Sequence, residues 1–133
     1  GLVPAIEWLV QNFTHRWGVA CELDIDESLE LHEPYATAVF RIVQESLVHV
    51  AKHAGARRAW VPVAREGRET VLSVQDNGRG FPTDAPRKPQ SIGLIGLRER
   101  ATLLQGSVSI DSTPGEGTRV EARIPAEPRE DTA

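Results

Sequence analysis

Glu45 stands four residues before His49, and Lys52 and His53 stand three and four residues after it. On a helix these steps bring all four side chains to one face. A carboxylate there can orient water or take a proton, an imidazole can ligate a cation, and an ammonium can meet a phosphate. A solvated helix face carries the same residue types, so the quartet gains weight only from what accompanies it. Asp76, Asn77, Gly78, Arg79, Gly80 and Phe81 come directly after an apolar alternation. An aspartate at a strand end can accept a hydrogen bond from the exocyclic amine of adenine, and two glycines let the backbone turn and approach a flat ligand. The same letters also make an ordinary Asp-Asn-Gly turn. Gly93, Leu94, Ile95, Gly96 and Leu97 lead into an apolar helical stripe. Amides that open a helix have no carbonyl partner and attract anions, so a triphosphate suits them; a flexible helix entry is the plainer reading. The run is not a Walker A loop, which needs Gly-Lys-Ser/Thr, and it lacks the spacing of a dinucleotide fingerprint.

Apolar periodicity predicts the elements that hold these groups. Ile6, Leu9, Val10, Phe13 and Trp17 recur at three- and four-residue steps, an amphipathic helix over 4–17 stopped by Gly18. Val19, Cys21, Leu23 and Ile25 alternate as a half-buried strand, and a polar stretch covers 26–34. Residues 35–54 hold no Gly or Pro and carry Val39, Ile42, Val43, Ser46, Leu47 and Val50 as a stripe, which predicts the main helix, closed by Gly55. Alternations at 57–65 and 69–75 read as a hairpin around Gly67. Pro62 cannot donate to a ladder, so one side of its strand should be unpaired or bulged there. Residues 76–92 read as a loop; Leu94, Leu97, Ala101 and Leu104 mark a further helix stopped by Gly106. Strands at 107–112 and 118–125 flank a turn of Pro114, Gly115, Glu116 and Gly117. The order implies an α/β (α+β) two-layer sandwich over 1–125, with helices on one face of a mixed sheet, and a disordered tail over 126–133.

A chain of 133 residues suits one domain. No apolar run approaches the roughly 20 residues of a membrane span. The net charge of −4 offers no global positive field for nucleic acid, so a phosphate ligand must be held by local groups. Cys21 is the sole cysteine, which excludes an internal disulfide and a multi-cysteine metal site and suits a reducing, cytoplasmic setting. Glu7 interrupts the first apolar stretch, so no signal peptide is read at the start, which looks like a cut from something longer, membrane-anchored or not.

Taken together, the motifs resemble those of the gyrase, chaperone, histidine kinase and MutL superfamily, with its Bergerat ATP-binding fold. The long helix resembles the N box, Asp76 to Phe81 the first glycine box, Gly93 to Leu97 the second, and Gly115-Glu116-Gly117-Thr118 the closing turn. The runs FRIVQE at 40–45, GLIGLRER at 93–100 and STPGEGT at 112–118 look like short-lid sensor kinases related to the nitrate and membrane-fluidity sensors. The resemblance covers nearly the whole chain, and four ordered motifs are far more specific than one. It implies ATP and Mg²⁺ as cofactors. Asp76 would read the adenine amine with Thr118 beside it, Gly78 and Gly80 would admit the ring, and Lys52 would reach a phosphate. His53 would line the adenine or ribose side, Gly93, Leu94, Gly96 and Leu97 would cradle the phosphates, and Glu45 would polarise the nucleophile or its water. It implies as partners a separate dimerisation domain bearing the acceptor histidine, a homodimeric full-length protein, and a response regulator downstream.

One departure concerns the metal. The family's asparagine, whose carboxamide oxygen binds Mg²⁺, is replaced by His49. Magnesium prefers oxygen ligands, so His49 either weakens Mg²⁺ binding or shifts metal preference, or it merely fills the place while Glu45, water and phosphates keep the metal. Both readings stand on the sequence. His32-Glu33 imitates an acceptor histidine and its acidic neighbour, but Pro34 follows at once and the pair is rejected. Trp8, Trp17 and Trp60 read as core or interface, since no basic patch surrounds them. The rival functions are a degenerate nucleotide-binding regulatory module, for which His49 argues, and an anti-sigma-factor serine kinase. Against the second stand the Leu97-Arg98-Glu99-Arg100 run and the turn at 114–118.

Overall fold

Apolar stripes seeking one another decide the architecture of this chain, whose computed structural model describes residues 1–82 and 89–127. Helix α1 (Leu2–Trp17) turns Val3, Ile6, Val10 and Phe13 inward and ends where Gly18 turns left-handed and its amide bonds the Thr14 carbonyl at 2.9 Å. Strand β1 (Ala20–Ile25) alternates exposed and half-buried residues. Helix α2 (Tyr35–His49) buries the expected stripe of Val39, Ile42, Val43, Ser46 and Leu47. It runs on into a π-helical turn, Val50–Ala54, closed by left-handed Gly55. Strands β2 (Arg58–Glu66) and β3 (Glu69–Asp76), helix α3 (Pro89–Leu103), and strands β4 (Ser107–Thr113) and β5 (Gly117–Pro125) follow.

The strands form one mixed sheet in the order β1-β2-β3-β5-β4. β1 runs parallel to β2, as the α2 crossover between them requires, and the other neighbours are antiparallel. Pro62 sits opposite Asp24 in the parallel ladder, while the β2–β3 pairing skips from Trp60–Gln75 to Val63–Leu72 without changing register. The missing proline donor therefore leaves the ladder unpaired on one side and makes no bulge. Alternate residues of the inner strands, Ala59, Val61 and Val63, Leu72 and Val74, and Val120, Ala122 and Ile124, are buried and join the helical stripes in one core. The other face carries ion pairs such as Arg119–Glu121 at 3.0 Å and Arg123–Glu69 at 3.6 Å. This is the two-layer α+β arrangement expected from the element order.

Several expectations are corrected. Helix α3 begins at Pro89, so the expected loop to residue 92 is shorter, and the run Gly93 to Leu97 lies inside the helix instead of opening it. Proline is well suited to a first helical position, and a glycine inside a helix costs only about 1 kcal/mol, which the burial of Leu94, Leu97 and Ala101 outweighs. At the other end of α3 the left-handed residue is Gln105, with φ 63, rather than Gly106. A Cβ on Gly106 would come within 2.5 Å of the Arg123 carbonyl oxygen, so the glycine serves a close strand approach. Ala126, expected in the tail, is buried and its amide bonds the Arg68 carbonyl at 2.8 Å; residues 128–133 lie outside those described. Of the two places expected for the tryptophans, core or interface, exposure of 63% and 43% excludes the core for Trp8 and Trp17. They line a groove of about 230 Å³ between α1 and α2.

Candidate functional site

The period of two that buries the sheet also brings three polar side chains into a row. Thr118 pairs with Ser112 across β5 and β4, and the β3–β5 register, which matches Gln75 with Arg119, sets Asp76 beside Thr118. All three lie on the helix-covered face at one end of the sheet, and Asp76 and Thr118 are each only 3% exposed. The Asp76 carboxylate accepts the Gly78 amide at 2.8 Å. Burial pushes its pKa above the usual aspartate value, against the lowering effect of the Gly78 amide, the neighbouring His49 and the Thr118 amide. Ser112 Oγ lies 2.8 Å from Thr118 Oγ1 and accepts the Phe81 amide at 2.8 Å.

The segment after Asp76 is clamped between the end of α2 and the β4–β5 turn. The Arg79 amide bonds the Ala54 carbonyl at 2.7 Å, and the Gly115 amide bonds the Arg79 carbonyl at 2.6 Å. Asn77 Oδ1 accepts the Arg57 and Arg58 amides at 3.0 and 2.9 Å, fixing the chain where it enters β2. Between the π turn and this segment lies a cavity of about 160 Å³ lined by His49, Lys52, His53, Ala54, Arg79, Gly80 and Phe81. His49, 6% exposed, meets the edge of Phe81 at 5.6 Å and the tilted ring of His53 at 5.9 Å. Among the described residues, two permanent cations, two imidazoles and no carboxylate line the cavity, a set whose field favours an anion. Its volume is below the roughly 300–1,000 Å³ of whole-ligand pockets, so it suits one part of a larger molecule. The buried acceptor at Asp76 suits another.

A family described as histidine kinase-, DNA gyrase B-, and HSP90-like ATPase matches residues 35–128. The chain belongs to this ATPase family. Among its relatives, the signal transduction histidine-protein kinase/phosphatase DegS of Brevibacillus brevis is 32% identical over 126 residues, which are 94% of this chain and 32% of DegS. The chain thus spans about a third of the length of that relative. Solved structures of histidine kinases share the fold. The blue-light activated histidine kinase EL346 of Erythrobacter litoralis has a TM-score of 0.75 at 19% identity, over 91% of this chain and 40% of that one. The mycobacterial sensor histidine kinase MprB has a TM-score of 0.71 at 15% identity, over 96% of this chain and 97% of that one.

Within the ATPase domain the structure brings some of the sequence-derived residues together and leaves others apart. His49, Lys52 and His53 meet at the cavity, and Asp76 and Thr118 meet at the sheet end. Glu45 is half-buried one turn earlier on α2 and does not line the cavity. Gly78 and Gly80 serve backbone packing: a Cβ on Gly78 would sit 2.2 Å from the Ala54 carbonyl oxygen, and one on Gly80 would sit 2.1 Å from that of Thr113. The space left by their missing side chains is filled by protein rather than kept for a ring. Amides inside α3 bond carbonyls one turn back, so those from Gly93 to Leu97 do not form the open helix end expected for a phosphate cradle. Leu94 and Leu97 are 1% and 2% exposed and spend their side chains on the core, while Gly96 is exposed. Sequence reasoning did not single out Arg79, Asn77 or Ser112, whose contacts build this corner. Each lay within a recognised motif, and only the strand register reveals that Ser112 faces Thr118.

Proposed function

We propose that this domain binds ATP and supplies its γ-phosphoryl group to a histidine on a separate dimerisation domain of a homodimeric, cytoplasm-facing sensor kinase, from which it passes to an aspartate of a response regulator. The observation that carries this reading is the buried acceptor Asp76, held by the Gly78 amide beside Thr118, next to a cavity lined by Lys52, His53 and Arg79. Asp76 accepts from the exocyclic amine of adenine while burial excludes competing water. Lys52 and Arg79 meet phosphate oxygens, and His53 lines the sugar side. Glu45 orients the attacking imidazole once that domain docks. The N-terminal amides of α3, which precede Gly93, offer the anion-binding end in place of the run from Gly93 to Leu97.

Magnesium would neutralise phosphate charge during transfer. Among the described residues no three His, Cys, Asp or Glu side chains form a group able to hold a metal ion, and the family's ligand position presents the His49 imidazole packed against Phe81. That donor set does not fit a magnesium site held by the protein, so no step is routed through one. The same observation favours a second reading, a regulatory module that binds nucleotide and transfers nothing. Autophosphorylation decides between them, measured with the native dimerisation domain restored and comparing wild type with His49→Asn in Mg²⁺ and Mn²⁺. Phosphorylation by the wild type in Mg²⁺ supports transfer. Activity gained only in His49→Asn supports the regulatory module. Calorimetry with ADP tests the shared premise, since Asp76→Asn puts a donor against a donor and should nearly abolish binding; unchanged affinity would overturn the base assignment.

A further inference from the structure

We propose that Ser112 fixes the direction of the Thr118 hydroxyl and so acts as a positioning residue for selecting 6-aminopurine over 6-oxopurine nucleotides, an inference that rests on the base lying at Asp76. A serine hydroxyl has one proton and two lone pairs. The Phe81 amide, 2.8 Å away, can only donate and takes one lone pair. The Gly117 carbonyl oxygen, 3.2 Å away, can only accept and takes the proton. The remaining lone pair faces Thr118 Oγ1 at 2.8 Å, so Thr118 is the donor of that pair. This is the one assignment in which all three neighbours of Ser112 Oγ are satisfied. If Ser112 donated to Thr118 instead, the Gly117 contact would have no proton.

The consequence lies on the other side of Thr118. Its proton is drawn back into the β4–β5 pair, so only lone pairs remain to face a ligand. The Thr118 amide is also taken, by the Asp76 carboxylate. Ionised Asp76 and Thr118 therefore form an acceptor-only edge. An exocyclic amine, with two N–H donors, can serve both groups directly or through a water. A carbonyl at the same ring position brings a third acceptor. Without Ser112 the Thr118 hydroxyl can rotate and offer its proton to such a carbonyl, so discrimination falls.

The test is calorimetry of ADP and IDP binding to the 133-residue chain and its variants, with thermal melting as the check on folding. Wild type should prefer ADP. Ser112→Ala should reduce the ADP-to-IDP preference about fivefold, the worth of one net hydrogen bond, and Ser112→Thr should restore it. Thr118→Val should reduce the preference similarly, and adding Ser112→Ala in that background should reduce it no further. Equal losses for ADP and IDP would mean that Ser112 only pins the Phe81 segment, and would overturn the inference. An additive loss in the Thr118→Val background, or an unchanged preference in Ser112→Ala, would overturn it too. Wild type binding ADP and IDP equally, or neither, would overturn the base assignment itself, a different failure from a wild-type preference that Ser112→Ala leaves intact.

Discussion

Gly78→Ala separates the two roles a glycine can have in a loop that follows a strand. An added Cβ would sit 2.2 Å from the Ala54 carbonyl oxygen and 2.8 Å from its carbonyl carbon, where ordinary contact begins at 3.4 Å. The helix end and the loop must therefore part by about 1.2 Å at that point. Neither neighbour is the tip of a flexible side chain, so the strain cannot be relieved by a rotamer change. The same carbonyl accepts the Arg79 amide at 2.7 Å, and a displacement of that size breaks the bond. Overpacking contributes about 1–3 kcal/mol and the lost bond about 1 kcal/mol more, so a destabilisation of roughly 2–4 kcal/mol is expected. For a chain of this length that is a fall of roughly 10 °C in Tm. Differential scanning calorimetry of the ligand-free protein is the assay, with an ADP titration beside it. If Gly78 merely left room for a purine ring, the variant would lose affinity and keep its Tm. A melting point within 2 °C of wild type, on a scale where roughly 10 °C is expected, would refute the packing argument.

The remaining predictions concern charge and packing. Asp76 has a folded pKa above its value of 3.8 in a free chain. The folded state thus takes up the proton more readily, and the stability linked to that proton is fully present below 3.8 and lost as pH rises through the folded value. Binding runs the other way. ADP affinity should be flat near neutrality and fall with acid earlier than an ordinary aspartate would predict, which calorimetry across pH 4 to 7 would check; a profile midpoint at or below 3.8 would contradict it. Lys52→Ala and Arg79→Ala should each weaken ATP more than adenosine, and the ATP loss should shrink at high salt, as titrations at two ionic strengths would show. Leu97→Ala should cost about 2–4 kcal/mol by urea unfolding, since its side chain fills the core under α2.

Much of the fold was readable because periodicity reports burial. The stripe on α2 and the alternations in β2, β3 and β5 name nearly the same residues that the core contains. Asp76 was singled out by its place at a strand end and Thr118 only by the family resemblance; the structure buries both because each is in phase with the apolar alternation of its strand. What failed was inference from glycine. Gly93 read as a helix start because glycine is a poor helix former, yet the stripe of Leu94, Leu97 and Ala101 carries the helix through it. Gly78 and Gly80 read as openings for a ligand, while each is a place where two backbones touch. A composition cannot say which backbone comes near. The π turn was hidden as well, since Val50 to Ala54 carry ordinary helical residues and the wider turn reflects docking onto the Arg79 amide. Ser112 needed the register of two strands, which is a pairwise fact that no single segment records.

The clamp on the segment after Asp76 also sets when this corner of the protein can come apart. The amides of Arg79, Phe81 and Gly115 are bonded to Ala54, Ser112 and Arg79, partners drawn from the helix end, the edge strand and the loop itself. Every one of these bonds has an end in the stretch from Arg79 to Phe81, so release of that stretch frees the three amides together, and their hydrogen exchange should share one rate, slower than that of an unbonded loop. A nucleotide seated there would then slow the exchange of these amides, and of the central strands, by one common factor set by its concentration over its Kd. The site behaves thermodynamically as a keystone: occupancy at one corner is read throughout the domain as resistance to unfolding.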